Sequence, residues 1–177
     1  MLSALAFELY GKDFIMDTVR SFKPIADSNA KILILGSVPS VKSLEEAQFY
    51  AHPQNQFWKF MFQMFGEEYT LDYAMKKSLI IRHNIALWDI LQECERKGSM
   101  DADIKEAKPN DILGLLGECG NIRHIFCNGQ TTYKYFKRFI KTDIPSTCLP
   151  STSPANAKMR YDEKFNVWKD NIMPYLE

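Results

Sequence analysis

Short apolar runs alternate with amphipathic segments along most of this chain. The run Ile32-Leu33-Ile34-Leu35, which ends at Gly36, is typical of a strand buried on both faces of a parallel sheet. Similar runs predict four strands, over residues 31–36, 85–89, 122–128 and 147–149. Helical spacing and helix-start signals predict helices near 57–65 and over 70–77, 90–96, 109–116, 131–140 and 162–173. Because strands alternate with helices, we expect a parallel sheet with helices on both faces.

The clearest helical pattern is a stripe of aromatic and methionine side chains at i, i+3, i+4, i+7 and i+8. Its members are Phe57, Phe60, Met61, Met64 and Phe65. A stripe of this kind is typical of a helix face packed in a core. We therefore expect Phe57 and the neighbouring Trp58 to pack beneath the preceding loop, and Gly66 to end the helix.

The remaining segments set the domain boundaries that we expect. Residues 1–30 read as a helical or irregular N-terminal extension, residues 31–177 as a single domain, and residues 97–111 as a charged, turn-rich link within it. The N-terminus lacks the basic region and cleavage site of a signal peptide. No apolar run approaches the roughly 18 residues of a membrane span. A cytoplasmic, monomeric protein without a membrane partner is the expectation.

Cysteine spacing and charge exclude several classes of site. The four cysteines contain no C-x-x-C pair, so we expect no metal or iron–sulfur cluster. Neither a G-x-G-x-x-G motif nor a P-loop occurs, and we expect no cofactor. Lys and Arg balance Asp and Glu at 22 each, which is unlike a nonspecific DNA binder. One helix face nevertheless carries only cations, at Lys134, Lys137, Arg138 and Lys141. It is either an ordinary solvated surface or a phosphate contact.

Two loops at predicted strand ends carry the candidate chemistry. The first begins Gly36-Ser37-Val38-Pro39-Ser40 and continues to Tyr50-Ala51-His52-Pro53-Gln54-Asn55-Gln56-Phe57-Trp58. The second is Leu149-Pro150-Ser151-Thr152-Ser153-Pro154-Ala155-Asn156. In open α/β sheets, ligands bind at the carboxyl ends of the strands. We therefore expect the two loops to meet around one ligand.

The two loops resemble motifs of the uracil-DNA glycosylase superfamily. Within it they are similar to the hypoxanthine (deoxyinosine) DNA glycosylase branch, with the mismatch-specific uracil and thymine glycosylases as nearest relatives. The resemblance implies an α/β/α sandwich around a four-stranded parallel sheet. It also implies a monofunctional glycosylase that removes a deaminated base, most simply hypoxanthine, from damaged DNA. Alternatives are a uracil or mismatch-specific pyrimidine glycosylase, a catalytically silent binder of DNA lesions, and an unrelated nucleotide-binding domain.

Two positions depart from the motifs of most relatives. Val38 stands where they carry the Asp or Asn of the first motif, and an apolar side chain cannot orient water. Leu149 stands where many carry the His of the second motif, which stabilises the departing base. The resemblance therefore points to Asn55 as the catalytic residue, since a carboxamide can orient water through its oxygen and donate through its nitrogen. The alternative is that Asn55 caps the following helix.

The resemblance also implies contacts with the flipped base and with the DNA backbone. The expected base-binding residues are Gly36, Ser37, Tyr50, His52 and Asn128, with Tyr50 as the stacking aromatic. The expected DNA-binding residues are Ser151, Thr152, Ser153, Asn156, Lys158, Met159 and Arg160. Met159 is the candidate for an apolar wedge in the duplex, with Lys158 and Arg160 on flanking phosphates. Segments 87–89 and 98–101 also match the branch but suggest no chemical role.

Overall fold

The computed structural model describes residues 17–177. The strands are β1 (Asp17–Arg20), β2 (Ile32–Gly36), β3 (Ile85–Asp89), β4 (Leu91–Arg96), β5 (Lys105–Pro109), β6 (His124–Asn128) and β7 (Ser146–Leu149). The helices are α1 (Val41–Glu46), α2 (Phe57–Met64), α3 (Tyr73–Arg82), α4 (Ile112–Glu118), α5 (Gln130–Phe139) and α6 (Tyr161–Leu176), with a 3₁₀ turn at Asp101–Asp103.

The central sheet contains four parallel strands, as predicted. Their order is β3-β2-β6-β7. After β2 the chain moves to one side to form β3, and it later returns to the other side of β2 to form β6 and β7. This reversal of direction opens a crevice at the carboxyl edge between β2 and β6, the usual place for a ligand in such sheets.

Apolar side chains cover both faces of the central sheet. Alternate residues of β2 enter different clusters, because successive side chains on a strand point to opposite faces. Ile32 and Ile34 pack with residues of α2, α3 and α6. Leu33 and Leu35 pack with residues of α4, α5 and a second sheet. The result is the three-layer α/β/α sandwich that the resemblance implied.

Helix α2 buries the predicted stripe in the first of these clusters. Phe57 is fully buried and Trp58 is 2% exposed, so both pack beneath the loop, as predicted. The Phe57 ring meets Trp168 of α6 edge-on, with 6.0 Å between the ring centroids. The Trp168 indole in turn donates to the Pro150 carbonyl oxygen at 2.9 Å. The core therefore supports the second loop directly.

The prediction of a helix over 90–96 is wrong, because this segment forms strand β4. It lies between β1 and β5 in a three-stranded antiparallel sheet. Glu93 lies opposite Arg20 on one neighbour and Lys108 on the other. Its carboxylate bonds Arg20 Nε at 2.8 Å and Lys108 Nζ at 2.9 Å. Pairing with β1 and β5, which are distant in sequence, and the burial of Leu91 and Cys94 override the local helix propensity of Leu, Gln and Glu.

The second sheet also revises the N-terminal extension and the charged link. Strand β1 and the 3₁₀ turn with β5 fall within these two segments, which the sequence did not predict to be strands. The rest of the predicted extension, residues 1–16, lies outside the described part of the chain. The helix predicted over 70–77 begins later, at Tyr73, because Asp72 caps it by accepting from Ala74 N at 2.8 Å.

Candidate active site

A cavity of about 520 Å³ lies at the carboxyl edge of the central sheet, where β2, β3 and β6 end. It collects most of the predicted site residues. Those that line it are Gly36, Ser37, Tyr50, His52, Asn55, Asn128, Ser151, Thr152, Ser153 and Asn156. Lys158, Met159 and Arg160 flank this group in sequence and do not line the cavity. The two loops therefore meet around one space, as expected.

Thr152 joins the two loops to each other and to the sheet. Its hydroxyl accepts from Asn128 Nδ2 at 2.8 Å, and its amide donates to Asn128 Oδ1 at 2.9 Å. Its carbonyl oxygen accepts from the backbone amide of Gln56, beside the start of α2, at 3.0 Å. Thr152 is fully buried, so any effect on DNA has to be indirect, through the loop that it holds. Asn128 has both ends of its carboxamide engaged in this task.

The rest of the second loop is held by its own hydrogen bonds. Ser151 Oγ accepts from the Ser153 amide, and Ser153 Oγ accepts from the Ala155 amide. Asn156 Nδ2 donates to the Ser151 carbonyl oxygen at 3.1 Å. The buried Lys164 of α6 donates to the Asn156 carbonyl oxygen at 3.1 Å. This loop is thus shaped before any ligand binds, and its hydroxyls at Ser151 and Ser153 line the cavity.

Asn55 lines the cavity and also binds the first amide of α2, one residue before the N-cap Gln56. Its Oδ1 accepts from the Phe57 backbone amide at 3.0 Å, and its own amide donates to the His52 carbonyl oxygen at 2.8 Å. Its Nδ2 has no hydrogen-bond partner among the described residues. Because the helix amide fixes the oxygen, the carboxamide has a defined orientation. It retains a free amide donor and a second lone pair on the oxygen for water or ligand.

His52 is half-buried at the same wall. Its Nδ1 accepts from the Gln54 amide at 3.2 Å. In a neutral imidazole the proton must therefore be on Nε2, which becomes a donor. The ring can donate one hydrogen bond to a base or a phosphate.

Tyr50 stacks on Phe57 with 4.1 Å between ring centroids and an interplanar angle of 24°. Its backbone adopts φ +54°, a left-handed conformation that is unusual for a bulky residue and that concentrates at functional sites. The buried Tyr50 hydroxyl has no hydrogen-bond partner among the described residues. The core thus holds the ring rigidly at the wall of the cavity.

Gly36 makes room for two polar groups at the floor of the cavity. A Cβ added here would lie 2.6 Å from Asp89 Oδ1 and 2.8 Å from the Tyr50 hydroxyl oxygen. Both distances are shorter than any normal contact. Gly36 is required because these side chains approach the backbone closely.

Val38 and Leu149, which depart from the motifs of most relatives, are apolar side chains in apolar surroundings. Val38 is 8% exposed and packs in the second core cluster, although it also borders the cavity. Leu149 is 1% exposed and packs in the first cluster, outside the residues that line the cavity. Neither side chain can orient water or donate to a base.

Two acids at the cavity, Asp89 and Asp101, were not predicted as site residues. Asp89 ends β3 opposite Gly36 and is 4% exposed. Burial raises its pKa to about 7. Burial also raises the pKa of Asp101, which accepts from Ser37 Oγ at 2.9 Å. Both acids lie in the segments that resembled the branch without a chemical role, and only the tertiary structure shows that both line the cavity.

The turn between β4 and β5 forms a further wall of the cavity. Ser99 Oγ accepts from the Val41 amide at 2.9 Å. The buried Arg96 binds the carbonyl oxygens of Pro39 and Gly98, and so ties this turn to the first motif. Met100 lines the cavity and is 56% exposed, which makes it an apolar group at the mouth that the sequence analysis missed.

Cations lie at two different distances from the cavity. Lys158 and Arg160 are exposed and follow directly on the second loop, whereas Met159 between them is half-buried. Lys137 and Arg138 are exposed in the last turn of α5. Because α5 starts at Gln130, two residues after the cavity residue Asn128, and rises about 1.5 Å per residue, they lie about 10–12 Å along it.

The described residues contain no group of three or more His, Cys, Asp and Glu side chains arranged to hold a metal ion. Within the same part of the chain, no helix is both long and apolar enough to cross a membrane.

The family model of the uracil DNA glycosylase superfamily matches residues 22–177. This chain belongs to that superfamily. The match begins within the predicted N-terminal extension and includes both loops, the central sheet and the turn between β4 and β5.

Two proteins of known description and one solved structure agree with this assignment. A hypoxanthine DNA glycosylase of Methanosarcina acetivorans is 36% identical over 141 residues, which are 78% of this chain and 89% of that protein. A hypoxanthine DNA glycosylase of Methanosarcina barkeri is 31% identical over 140 residues, with the same coverage of 78% and 89%. The solution NMR structure of an M. acetivorans protein described as a uracil DNA glycosylase superimposes with a TM-score of 0.78. It has 30% identity and covers 90% of this chain and 99% of that one.

Proposed function

We propose that this protein is a monofunctional DNA glycosylase that hydrolyses the N-glycosidic bond of a deaminated base, hypoxanthine first of all, and leaves an abasic site. The observation that carries the proposal is the cavity at the carboxyl edge, where Tyr50, His52 and Asn55 of the first loop meet the second loop. The relatives named hypoxanthine DNA glycosylase cover most of the chain and support the choice of base.

The cavity suits a flipped nucleotide. A base inside a duplex must leave the stack before its glycosidic bond is accessible. Stacking on an aromatic ring stabilises an extruded base by roughly 1–3 kcal/mol. Tyr50 is the candidate platform, since Phe57 supports one face of its ring and the residue borders the cavity.

Asn55 is the candidate for positioning the water. The transition state of glycoside hydrolysis resembles an oxocarbenium ion, so the attacking water needs position more than it needs a strong base. The Asn55 carboxamide is held by the Phe57 amide and can accept from a water on its remaining lone pair. The bracing of the second loop by Thr152 supports a role for its backbone in contacting the phosphates beside the lesion.

The residues around the cavity support simple hydrolysis. None of the described residues that line it is a lysine, so no amine is in place to form a Schiff base with the sugar. We therefore propose base release without strand cleavage and without a cofactor. Damaged DNA is the partner.

The experiment that tests the proposal compares four duplex oligonucleotides. Each carries a single inosine, uracil, xanthine or mismatched thymine, and abasic sites are cleaved with alkali after incubation. Release of hypoxanthine, seen as alkali-dependent cleavage of the inosine strand, is the expected result. Release from uracil or mismatched thymine alone would assign the protein to the pyrimidine-specific enzymes. Binding without release would make it a silent lesion binder, as the side chains at Val38 and Leu149 allow.

A further inference from the structure

A glycosylase has to stabilise the base as it departs, and the second motif lacks the side chain for this task. When the glycosidic bond breaks, its electron pair leaves with the base, so a proton or a hydrogen bond delivered to the base lowers the barrier. Leu149 is apolar and buried in the core. The donor must come from another part of the cavity.

Asp89 is placed at the floor of this cavity, where β2 and β3 end side by side. One carboxyl oxygen, Oδ2, accepts from Ser21 Oγ at 3.2 Å. The other, Oδ1, lies so close to the Gly36 backbone that a Cβ at that position would be only 2.6 Å away. The unpartnered Tyr50 hydroxyl approaches the same position, at 2.8 Å. One oxygen of Asp89 is thus anchored, the other has no hydrogen-bond partner among the described residues, and the residue lines the cavity.

The surroundings of Asp89 favour its protonated form at neutral pH. Burial raises the pKa to about 7, and the charge of Asp101 acts in the same direction. The Ser21 hydrogen bond and the positive charge of Arg96 oppose them. Within residues 17–177, Tyr50 and Tyr73 also interact electrostatically with this carboxyl. A carboxyl that titrates near the working pH is suited to general acid catalysis.

We propose that the protonated Asp89 carboxyl donates its proton to the departing base and so supplies the electrophile that the second motif lacks. This inference rests on the proposed glycosylase function. The bond between the sugar anomeric carbon and the base nitrogen breaks, and its electron pair goes to the base. The base takes the Asp89 proton and leaves as neutral hypoxanthine. Water adds to the anomeric carbon, and the proton that it releases returns the Asp89 carboxylate to its acid form through solvent.

Asp101 is the less suitable donor of the two acids. Its Oδ1 accepts from Ser37 Oγ, and it lies on the 3₁₀ turn beside Arg96, whose charge favours the ionised form. It is also less buried than Asp89. Asp101→Asn is therefore the matched control: it removes the neighbouring acid and leaves Asp89 in place.

The test is the pH dependence of single-turnover excision from an inosine duplex, with the enzyme in saturating excess. For the wild type we expect a rate that falls about tenfold per pH unit above about pH 7, because only the acid form donates. Asp89→Asn should lose about 10²-fold at acidic pH and show a flat profile, since an amide donates a hydrogen bond but no proton. Asp101→Asn should keep the fall and move its midpoint to lower pH, because the charge that raises the pKa of Asp89 is gone.

Three outcomes would overturn the role of Asp89 and leave the proposed glycosylase function standing. They are a wild-type rate that stays constant or rises across pH 7, an Asp89→Asn protein that keeps the wild-type fall, and an Asp101→Asn protein whose profile becomes flat. The wild-type profile needs no variant, so the test stands even where Asp89→Asn does not fold. If the wild type releases no hypoxanthine at any pH, the proposed function fails as well, and the two failures are distinguishable.

Discussion

The side-chain oxygen of Asn55 accepts a hydrogen bond from the Phe57 backbone amide at 3.0 Å, while the residue also borders the cavity. The two interpretations that the sequence left open, water positioning and helix capping, are therefore compatible. The cap is what gives the carboxamide its fixed orientation. Removing the Asn55 side chain is expected to lower both the excision rate and the free energy of unfolding. A suitable set of variants separates the two effects.

Asn55→Ala should lower single-turnover excision by about 10²–10³-fold, as for other positioned polar groups. It should also lower the free energy of unfolding by about 0.5–2 kcal/mol, the usual cost of a lost cap. Excision kinetics and urea denaturation measure the two effects.

Two controls separate chemistry from capping. Asn55→Asp retains an oxygen for the Phe57 amide but loses the amide donor, so stability should return without activity. Asp72→Ala removes the N-cap of α3, whose Oδ1 accepts from Ala74 N at 2.8 Å and from Met75 N at 3.3 Å. It should cost similar stability and leave excision unchanged. Normal excision by Asn55→Ala would sink the catalytic assignment.

Thr152 and Asn128 form two hydrogen bonds that join the second loop to the sheet. Asn128→Ala removes both hydrogen bonds to Thr152 and leaves the buried Thr152 amide unpaired, which should cost about 2–4 kcal/mol. Excision should fall with it, because the loop loses its support. Thr152→Val removes only the hydroxyl and should cost about 1–3 kcal/mol. Equal stability of Asn128→Ala and wild type in urea denaturation would contradict this role.

The position of the cations predicts which of them bind DNA. Lys158 and Arg160 follow the second loop, whereas Lys137 and Arg138 lie in the last turn of α5. Replacing the first pair by Ala should weaken binding to damaged and undamaged duplexes alike and reduce the salt slope of log Kd by about 1–2. Replacing the second pair removes the same charge and should change the slope little. Fluorescence anisotropy at several salt concentrations makes the comparison. A larger effect at α5 would favour the phosphate-binding interpretation of that face.

The parts of the fold that depend on local pattern could be predicted from the sequence. The apolar run of β2 and the stripe of α2 each carry their periodicity within a few residues, and both lie where expected. Strand β4 could not be predicted in this way. Its Glu93 is stabilised as a strand residue by Arg20 and Lys108, which are remote in sequence.

The candidate site, too, could be predicted only as far as its features depend on local sequence. Glycine, proline and hydroxyl residues at strand ends indicated which loops meet. The burial of Thr152 and the surroundings of Asp89 depend on packing between distant elements. A lone Asp at the end of a strand has no local signal of a raised pKa, since the cause is the removal of water by residues elsewhere in the chain.

The buried carboxyl of Asp89 also predicts how stability depends on pH. Burial raises its pKa from 3.8 to about 7 in the folded protein, so the folded state holds this proton more tightly than the unfolded chain. The stability associated with Asp89 is therefore fully present below about pH 4 and is lost as the pH rises through about 7. Asp89→Asn cannot ionise and should escape this loss. Between pH 5 and pH 8, the unfolding free energy of the variant should rise relative to that of the wild type by about 1–4 kcal/mol. Urea denaturation of both proteins at the two pH values cancels the contributions of all other groups. A difference between the proteins that does not change with pH would show that Asp89 is already ionised at pH 5, and would remove the basis for its role as an acid.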